Sequence, residues 1–331
     1  MAKKIKSVLF FWLALGVAFG ANAQEASKLT PLGEAQLQIL ADLKGDPEPE
    51  KRHTIKKEYE GQHFLTCDEL NLQLFKPAID GIGGAYAGVG TDQSYILMGW
   101  AKSELGFLFD YDPLVIRVHE LYKVFFTKAE TYQDFVRLWS KESEKASKEL
   151  ISGEIQDDPK GAVSLFHRNR AKIYRRLQQS IRLMKKANVA FYLNDQAIYD
   201  HIRTMIITGR VVAIQANLLD SVGLKEIGKA AAKIEIPIRV LYLSNVEDYW
   251  AYSTQYVQNL LSLHYDSNSL LLRTVASKHT NGDYRYVLQS HANFKLWAES
   301  GKVKRTKNMF PRRAIRHPDQ VQLITIENEP Q

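Results

Sequence analysis

The amino-acid sequence predicts an α/β protein of the Rossmann-like, doubly wound type, with a mainly parallel sheet and a helical insertion after the second strand. Short apolar runs typical of buried strands alternate with helical segments through most of the chain. The glycine turn Gly88-Val89-Gly90 joins the first strand of this pattern to a helix, and the next apolar run ends at Asp110. Strand, turn, helix and strand in this order form a βαβ unit, from which parallel sheets are built.

The composition is that of an ordinary globular protein. The 331 residues are 45% hydrophobic and 24% charged, so the chain can bury a sizeable core. The formal net charge of +7 falls to +4 without the three lysines of residues 1–23, which is a mild basic excess, and we expect no nucleic-acid partner. Cys67 is the single cysteine, which excludes an internal disulfide, and we expect it to be a small buried residue rather than a nucleophile.

The N-terminus has the pattern of a signal peptide. Three lysines precede the apolar stretch Val8–Gly20, and the small-residue motif Ala21-Asn22-Ala23 follows it. Thirteen apolar residues are too few to cross a bilayer, which takes about 20. We therefore expect residues 1–23 to be cleaved after Ala23, the chain to be exported to the periplasm or beyond, and no transmembrane span to follow.

A polar arm over residues 24–60 is expected next, with one helix in Leu32–Leu43. The main domain is expected over residues 61–300. It opens with the segment Thr66–Ile79, which we interpret as mostly helical and ended by Pro77 and the glycines that follow.

The central βαβ unit comes next along the chain. Ala85–Gly90 is apolar and short, as for a buried strand, and Thr91–Glu104 has helical character. Leu105–Asp112 is a continuous apolar run that ends in two acids, which indicates a strand buried on both faces. Residues 113–186 then lack strand patterns and predict a helical insertion, opened by Pro113 at a first helical position.

The α/β alternation resumes after the insertion. A helix capped at Asn194 is followed by a strand within Arg210–Asp220, a helix, and a strand within Ile238–Trp250. Two further apolar runs, joined by the hairpin-like turn "HTNGD", close the sheet. Residues 301–331 form a basic tail, for which we expect either a solubilising role or peripheral contact with an anionic envelope surface.

Ligands of open α/β sheets bind beyond the carboxyl ends of the strands. The glycines of the turn allow close approach of a ligand, although a dinucleotide fingerprint would have a third glycine where Gln93 stands. Asp110, 20 residues after Gly90, is placed to accept the hydroxyls of a ribose. The candidate ligand-binding residues are Gly88, Gly90, Gln93, Asp110, Asn217 and Asn245.

Several blocks of the chain resemble an uncharacterised bacterial family with a class I S-adenosylmethionine-dependent methyltransferase-like fold. They are Tyr86-Ala87-Gly88-Val89-Gly90-Thr91-Asp92-Gln93, the strand end at Asp110, Leu121-Tyr122-Lys123 and Ser244-Asn245-Val246-Glu247-Asp248-Tyr249. The resemblance covers residues 60–300. It implies that S-adenosylmethionine is the candidate cofactor, that Asp110 binds its ribose, and that Asn217 lies near the adenine. Residues 244–249 would then face the substrate, with Glu247 and Tyr249 as candidate catalytic bases.

Three other functions stay open. S-adenosylmethionine is made inside cells, so an exported chain with this fold could instead be a non-catalytic envelope scaffold. The run "FLFDYD" also resembles the start of haloacid-dehalogenase-like phosphohydrolases and the metal-nucleotide motif of some glycosyltransferases, with Asp110 and Asp112 as the acids. We expect no resident metal site, and we interpret His119 as a packing or surface residue rather than a metal ligand.

Overall fold

The computed structural model describes residues 29–50, 59–278, 280, 282–311 and 321–330. The expected signal peptide, residues 1–23, lies outside the described residues, as do parts of the polar arm and of the basic tail. No helix among the described residues is both long enough and apolar enough to cross a membrane.

The described part of the chain contains a seven-stranded sheet with the strand order β3-β2-β1-β4-β5-β6-β7. Strands β1 to β5 are parallel to one another, whereas β6 and β7 run in the opposite direction. The strands are β1 Ala85–Val89, β2 Leu105–Asp110, β3 Val211–Gln215, β4 Ile238–Tyr242, β5 Leu270–Ala276, β6 Tyr284–Ser290 and β7 Leu323–Ile326. The predicted α/β fold with a mainly parallel, Rossmann-like sheet is confirmed.

Helices cover both faces of the sheet, and each face has its own hydrophobic cluster. The first face carries α2 Lys76–Ile79, α3 Asp92–Ala101, α4 Pro113–Lys128, α5 Tyr132–Leu138, α6 Glu144–Glu154, α7 Pro159–Ala187 and α8 Gln196–Ile207. The second face carries α1 Glu34–Ala41, α9 Gly223–Ile234, α10 Thr254–Leu261 and α11 His291–Glu299. The connections change faces after β3. Strand β4 therefore lies beside β1, and this pair marks the topological switch at which such sheets bind ligands.

The helical insertion after β2 consists of α4 to α7, and it encloses the helix that follows the glycine turn. Every residue of α3 is buried, because the sheet, α2, α8 and the insertion surround it. The ring of Tyr95 stacks on Tyr122 of α4 at 4.9 Å. A side chain at Gly99 would meet Ile198 of α8 at 2.7 Å. The start of α3 is therefore held firmly against the end of β1.

The prediction of a mostly helical segment over Thr66–Ile79 is wrong. Only the short 3-10 turn Leu72–Leu74 and α2 are helical there. The amide of Cys67 donates to the Asp92 carboxylate at 2.8 Å, and the amide of Asn71 donates to the Tyr286 hydroxyl at 2.7 Å. These distant partners occupy amides that a helix would have used for its own hydrogen bonds.

The predicted cap of α8 is wrong by one residue. The carboxylate of Asp195 accepts from the amide of Ile198 and caps the helix. Asn194 instead accepts from the amide of Phe191 and so closes the preceding turn. Both residue types favour cap positions, so the choice between neighbours depended on the path of the chain before the helix.

Two segments outside the expected core contribute to the folded body. Strand β7 comes from the C-terminal segment and pairs with β6. Near the other terminus, Leu40 of α1 is buried, and the carboxylate of Asp46 accepts from the amides of Val222 and Gly223 at the start of α9. An acid at this position also interacts favourably with the helix dipole.

Candidate functional site

The glycine turn after β1 is filled by one of its own side chains. Gly90 has a φ of +83°, and a Cβ at this position would lie 2.0 Å from Nε2 of Gln93. That nitrogen donates to the carbonyl of Val89 at 3.2 Å, and Oε1 of Gln93 accepts from the amide of Thr91 at 3.1 Å. Gln93, which stands in place of a third glycine, therefore closes the turn over an amide that could otherwise face a ligand.

This packing predicts that Gly90→Ala costs more than a glycine substitution elsewhere with the same backbone conformation. The left-handed conformation costs a non-glycine residue about 1–2 kcal/mol, and displacing the buried amide of Gln93 adds about 1–3 kcal/mol. Gly81 has a φ of +69° with nothing near its missing Cβ, so Gly81→Ala carries the backbone cost alone. Urea unfolding of both variants measures the difference, and equal losses would show that Gln93 does not fill the turn.

Asp110 lies at the end of β2, directly beside this turn. Its Oδ2 accepts from the amide of Gly90 at 3.2 Å, and its Oδ1 accepts from the amide of Asp112 at 3.0 Å. Burial raises the pKa of Asp110 to about 7. The carboxylate is therefore fixed in orientation and titrates near neutral pH, a property common at functional sites.

Asp112 has a different environment from Asp110. Its Oδ1 accepts from the amide of Leu114 and caps α4, while its Oδ2 lies 2.7 Å from Nδ1 of His63. Both oxygens thus have partners in the chain. Among the described residues, no group of three or more His, Cys, Asp and Glu side chains is arranged to hold a metal ion.

His119 of α4 supports the glycine turn from the first face. Its Nε2 lies 2.8 Å from the carbonyl of Gly90, and its Nδ1 lies 2.8 Å from the hydroxyl of Tyr95. Since a carbonyl only accepts, Nε2 carries the proton and Nδ1 accepts from the tyrosine. Burial lowers the pKa of His119 to about 4, so the neutral ring holds the turn in place.

The segment 63–71 crosses the carboxyl ends of the strands on the same face. The carbonyl of Leu65 accepts from the hydroxyl of Thr91. Farther along, Oε1 of Glu69 accepts from the hydroxyls of Tyr242 at 2.6 Å and Ser244 at 2.5 Å, at the end of β4. The segment therefore covers part of the topological switch with polar contacts of its own.

Arg176 ties this segment to the insertion. Its Nε donates to Oδ2 of Asp92 at 2.8 Å, and its Nη2 donates to the carbonyl of Glu69 and to Sγ of Cys67, each at 3.0 Å. The guanidinium is 5% exposed and Asp92 is 2% exposed. Burial raises the pKa of the Cys67 thiol well above its usual range, which keeps the thiol protonated. The expectation of a buried Cys67 is confirmed.

The predicted site residues lie in three places: around the glycine turn, after β3 and after β4. Gly88, Gly90, Gln93 and Asp110 lie together around the turn. Asn217 follows β3, where its side chain bonds to Asp220 and to the amide of Leu219. Asn245 and Tyr249 follow β4, and the Tyr249 ring lies 6.3 Å from Tyr59.

An aromatic cluster missed by sequence reasoning completes this edge. It consists of Tyr59, Phe64 and Tyr249, with the rings of Tyr59 and Phe64 5.7 Å apart. Phe64 is 43% exposed. No sequence spacing links these residues, because they meet only where the 59–64 segment passes the end of β4.

Glu247 faces the second side of the sheet, away from Asp110. Its Oε2 lies 2.5 Å from Nε of Arg273 and accepts from the hydroxyl of Thr306 at 2.9 Å. Its Oε1 accepts from the hydroxyls of Tyr252 and Tyr256. The carboxylate is 3% exposed, so all of its contacts are with the protein itself.

Residues 64–327 match a protein-family model described as a domain of unknown function, DUF7790. The chain belongs to this family. None of the curated proteins matches it. The matched range begins at Phe64 and ends just after β7, so the covering segment, the helical insertion and the seventh strand are all parts of the DUF7790 domain.

Proposed function

We propose that this DUF7790 protein binds a small nucleoside-like ligand at the carboxyl ends of β1, β2 and β4. The observation that carries the proposal is the setting of Asp110. Its carboxylate is oriented by the backbone amides of Gly90, Asp112 and Tyr111. Since the two oxygens of a carboxylate together accept about four hydrogen bonds, the group retains the capacity to accept a ribose hydroxyl.

The aromatic cluster supports the same ligand class. Any of the nucleobases can stack on an aromatic ring, and this stacking contributes about 1–3 kcal/mol per base to binding. Phe64 offers an accessible ring at this edge, and Tyr249 lies in the same cluster. A ligand with its ribose at Asp110 and its nucleobase on the exposed ring of Phe64 would use both features, with Tyr249 left to face a substrate.

S-adenosylmethionine is the ligand of this class that the methyltransferase-like blocks of the sequence imply, and methyl transfer is the reaction that would follow. In such a reaction Tyr249, on the ligand side of β4, is better placed to act as a base than Glu247, whose oxygens are held on the second face. Export through residues 1–23, and contact of the basic tail with an anionic envelope surface, are further parts of this proposal.

Calorimetry with S-adenosylhomocysteine and with adenosine tests the proposal. We expect Asp110→Asn to weaken binding by about tenfold or more, because hydrogen bonds to a charged group contribute about 1.5–3 kcal/mol. Wild-type affinity should fall as the pH is lowered from 8 to 6, since protonation near pH 7 converts one acceptor oxygen into a donor. The Asn variant should lack this pH dependence.

Asp157→Asn is the matched control, because the Asp157 side chain is fully exposed on the insertion. It should bind like the wild type. Absence of binding at millimolar ligand would overturn the proposal, as would an Asp110→Asn variant that binds normally.

A non-catalytic scaffold is the second candidate function, and one specific observation favours it. Gln93 and the 63–71 segment satisfy polar groups that a ligand would otherwise meet at the turn. The phosphohydrolase hypothesis has less support, since Leu114 and His63 hold both oxygens of Asp112.

A further inference from the structure

A second concave site lies outside the carboxyl edge, between residues 66–70 and helix α7. This α7 groove has a volume of about 580 Å³, and its charged lining residues are Asp68, Lys172, Arg175, Arg176 and Arg182. Its volume is within the range of small-molecule sites, about 300–1,000 Å³. None of its lining residues belongs to the proposed nucleoside site.

The groove is strongly basic because of the helix that forms one wall. Residues 159–187 include nine lysines and arginines and no acid, so nothing within α7 neutralises this wall. Lys172, Arg175 and Arg182 are exposed, and none of them forms an ion pair with a residue that the structure describes. Their spacing of three and seven residues places them on one side of the helix, over about 15 Å of its length.

The side chains at the base of the groove are held in place by other parts of the protein. Arg176 is fixed by Asp92, by the Glu69 carbonyl and by the Cys67 sulfur, so its charge is compensated within the protein. The carboxyl group facing the groove is Asp68, which accepts from the hydroxyl of Tyr284 at 2.8 Å. Three uncompensated cations therefore face one acid across a preformed surface.

We propose that the α7 groove binds a small molecule or headgroup carrying two or more phosphate groups. Arginine binds phosphate through paired N–H donors, and the opposite charge strengthens each hydrogen bond. Lys172 and Arg175, one turn apart, would hold one phosphate, and Arg182, two turns farther on, would hold another. The same chemistry is present in a free polyphosphorylated metabolite and in an anionic lipid headgroup.

Calorimetry with inorganic tripolyphosphate, and co-sedimentation with vesicles of phosphatidylcholine with or without cardiolipin, whose headgroup carries two phosphates, test this site on the full mature chain. The double variant Arg175→Gln/Arg182→Gln removes two groove charges at exposed helix positions. The control Lys229→Gln/Lys233→Gln removes the same net charge from exposed positions of α9, on the opposite face of the sheet. We expect the groove variant to weaken binding by at least about tenfold and the control to change it little.

The outcomes separate the two sources. Saturable tripolyphosphate binding that is lost in the groove variant indicates a soluble phosphorylated ligand. Binding to cardiolipin-containing vesicles alone, with the same dependence on Arg175 and Arg182, indicates a lipid headgroup. The proposal is overturned if neither probe binds saturably, or if the α9 control weakens binding as much as the groove variant does. Circular dichroism and urea unfolding of both variants verify that each is folded.

Discussion

Replacing Arg176 with methionine is expected to lower the free energy of unfolding by about 3–5 kcal/mol, because the substitution leaves the buried Asp92 carboxylate without its cationic partner. The two side chains are 5% and 2% exposed and lie 2.8 Å apart. Arg176 also donates to the Glu69 carbonyl and to the Cys67 sulfur, so the 66–70 segment loses these two hydrogen bonds to the insertion. Urea denaturation followed by tryptophan fluorescence measures the loss.

Arg175→Met is a closely matched control, since the neighbouring arginine is exposed on the same helix. It should change stability by no more than about 0.5 kcal/mol. The double variant Asp92→Asn/Arg176→Met should be less destabilised than the sum of the two single variants, because no unpaired charge remains. Strict additivity, or equal effects at positions 175 and 176, would contradict the role assigned to this pair.

The second large effect is expected at Glu247, on the other face of the sheet. Glu247→Gln preserves the shape of the side chain but leaves the fully buried Arg273 without a negative partner. We expect a loss of about 3–5 kcal/mol in the free energy of unfolding. Two tyrosine hydroxyls also lose a charged acceptor, which adds to the loss.

Glu299→Gln provides the comparison for this variant. Glu299 is 56% exposed and pairs with Lys295 on the surface of α11, so its loss should cost no more than about 1 kcal/mol. If Glu247→Gln unfolds at the same urea concentration as the wild type, Glu247 does not stabilise the fold. That result would favour a role for Glu247 as a catalytic base.

The position of Asp110 beside the glycine turn could be predicted from the sequence. The glycine turn follows β1 and Asp110 ends β2, and the carboxyl ends of consecutive parallel strands share one edge of the sheet. The exposed, basic character of most of α7 was also predictable from its composition. The burial of Arg176 within that helix was not, because its partner Asp92 lies 84 residues away along the chain.

The sequence likewise does not predict that the Gln93 side chain fills the glycine turn. The sequence places Gln93 where a dinucleotide fingerprint has glycine, but it does not say whether the side chain points away or folds back. The enclosure of α3 by the insertion and α8 leaves Gln93 no solvent, so its amide bonds to the turn itself. No local sequence pattern marks Glu69, since its partners Tyr242 and Ser244 lie at the end of β4, more than 170 residues away.

The sequence alone determined the class of fold, the βαβ unit, the insertion and the edge where a ligand would bind, because hydrophobic periodicity and turn residues act over a few neighbouring positions. Only the tertiary structure decided which groups occupy that edge, that residues 66–71 are not helical, and that a C-terminal segment adds β7. It also created the α7 groove, which exists only where two distant segments meet. Buried charges and backbone amides take whichever partner the packed chain brings to them, and that choice is not encoded in any local pattern.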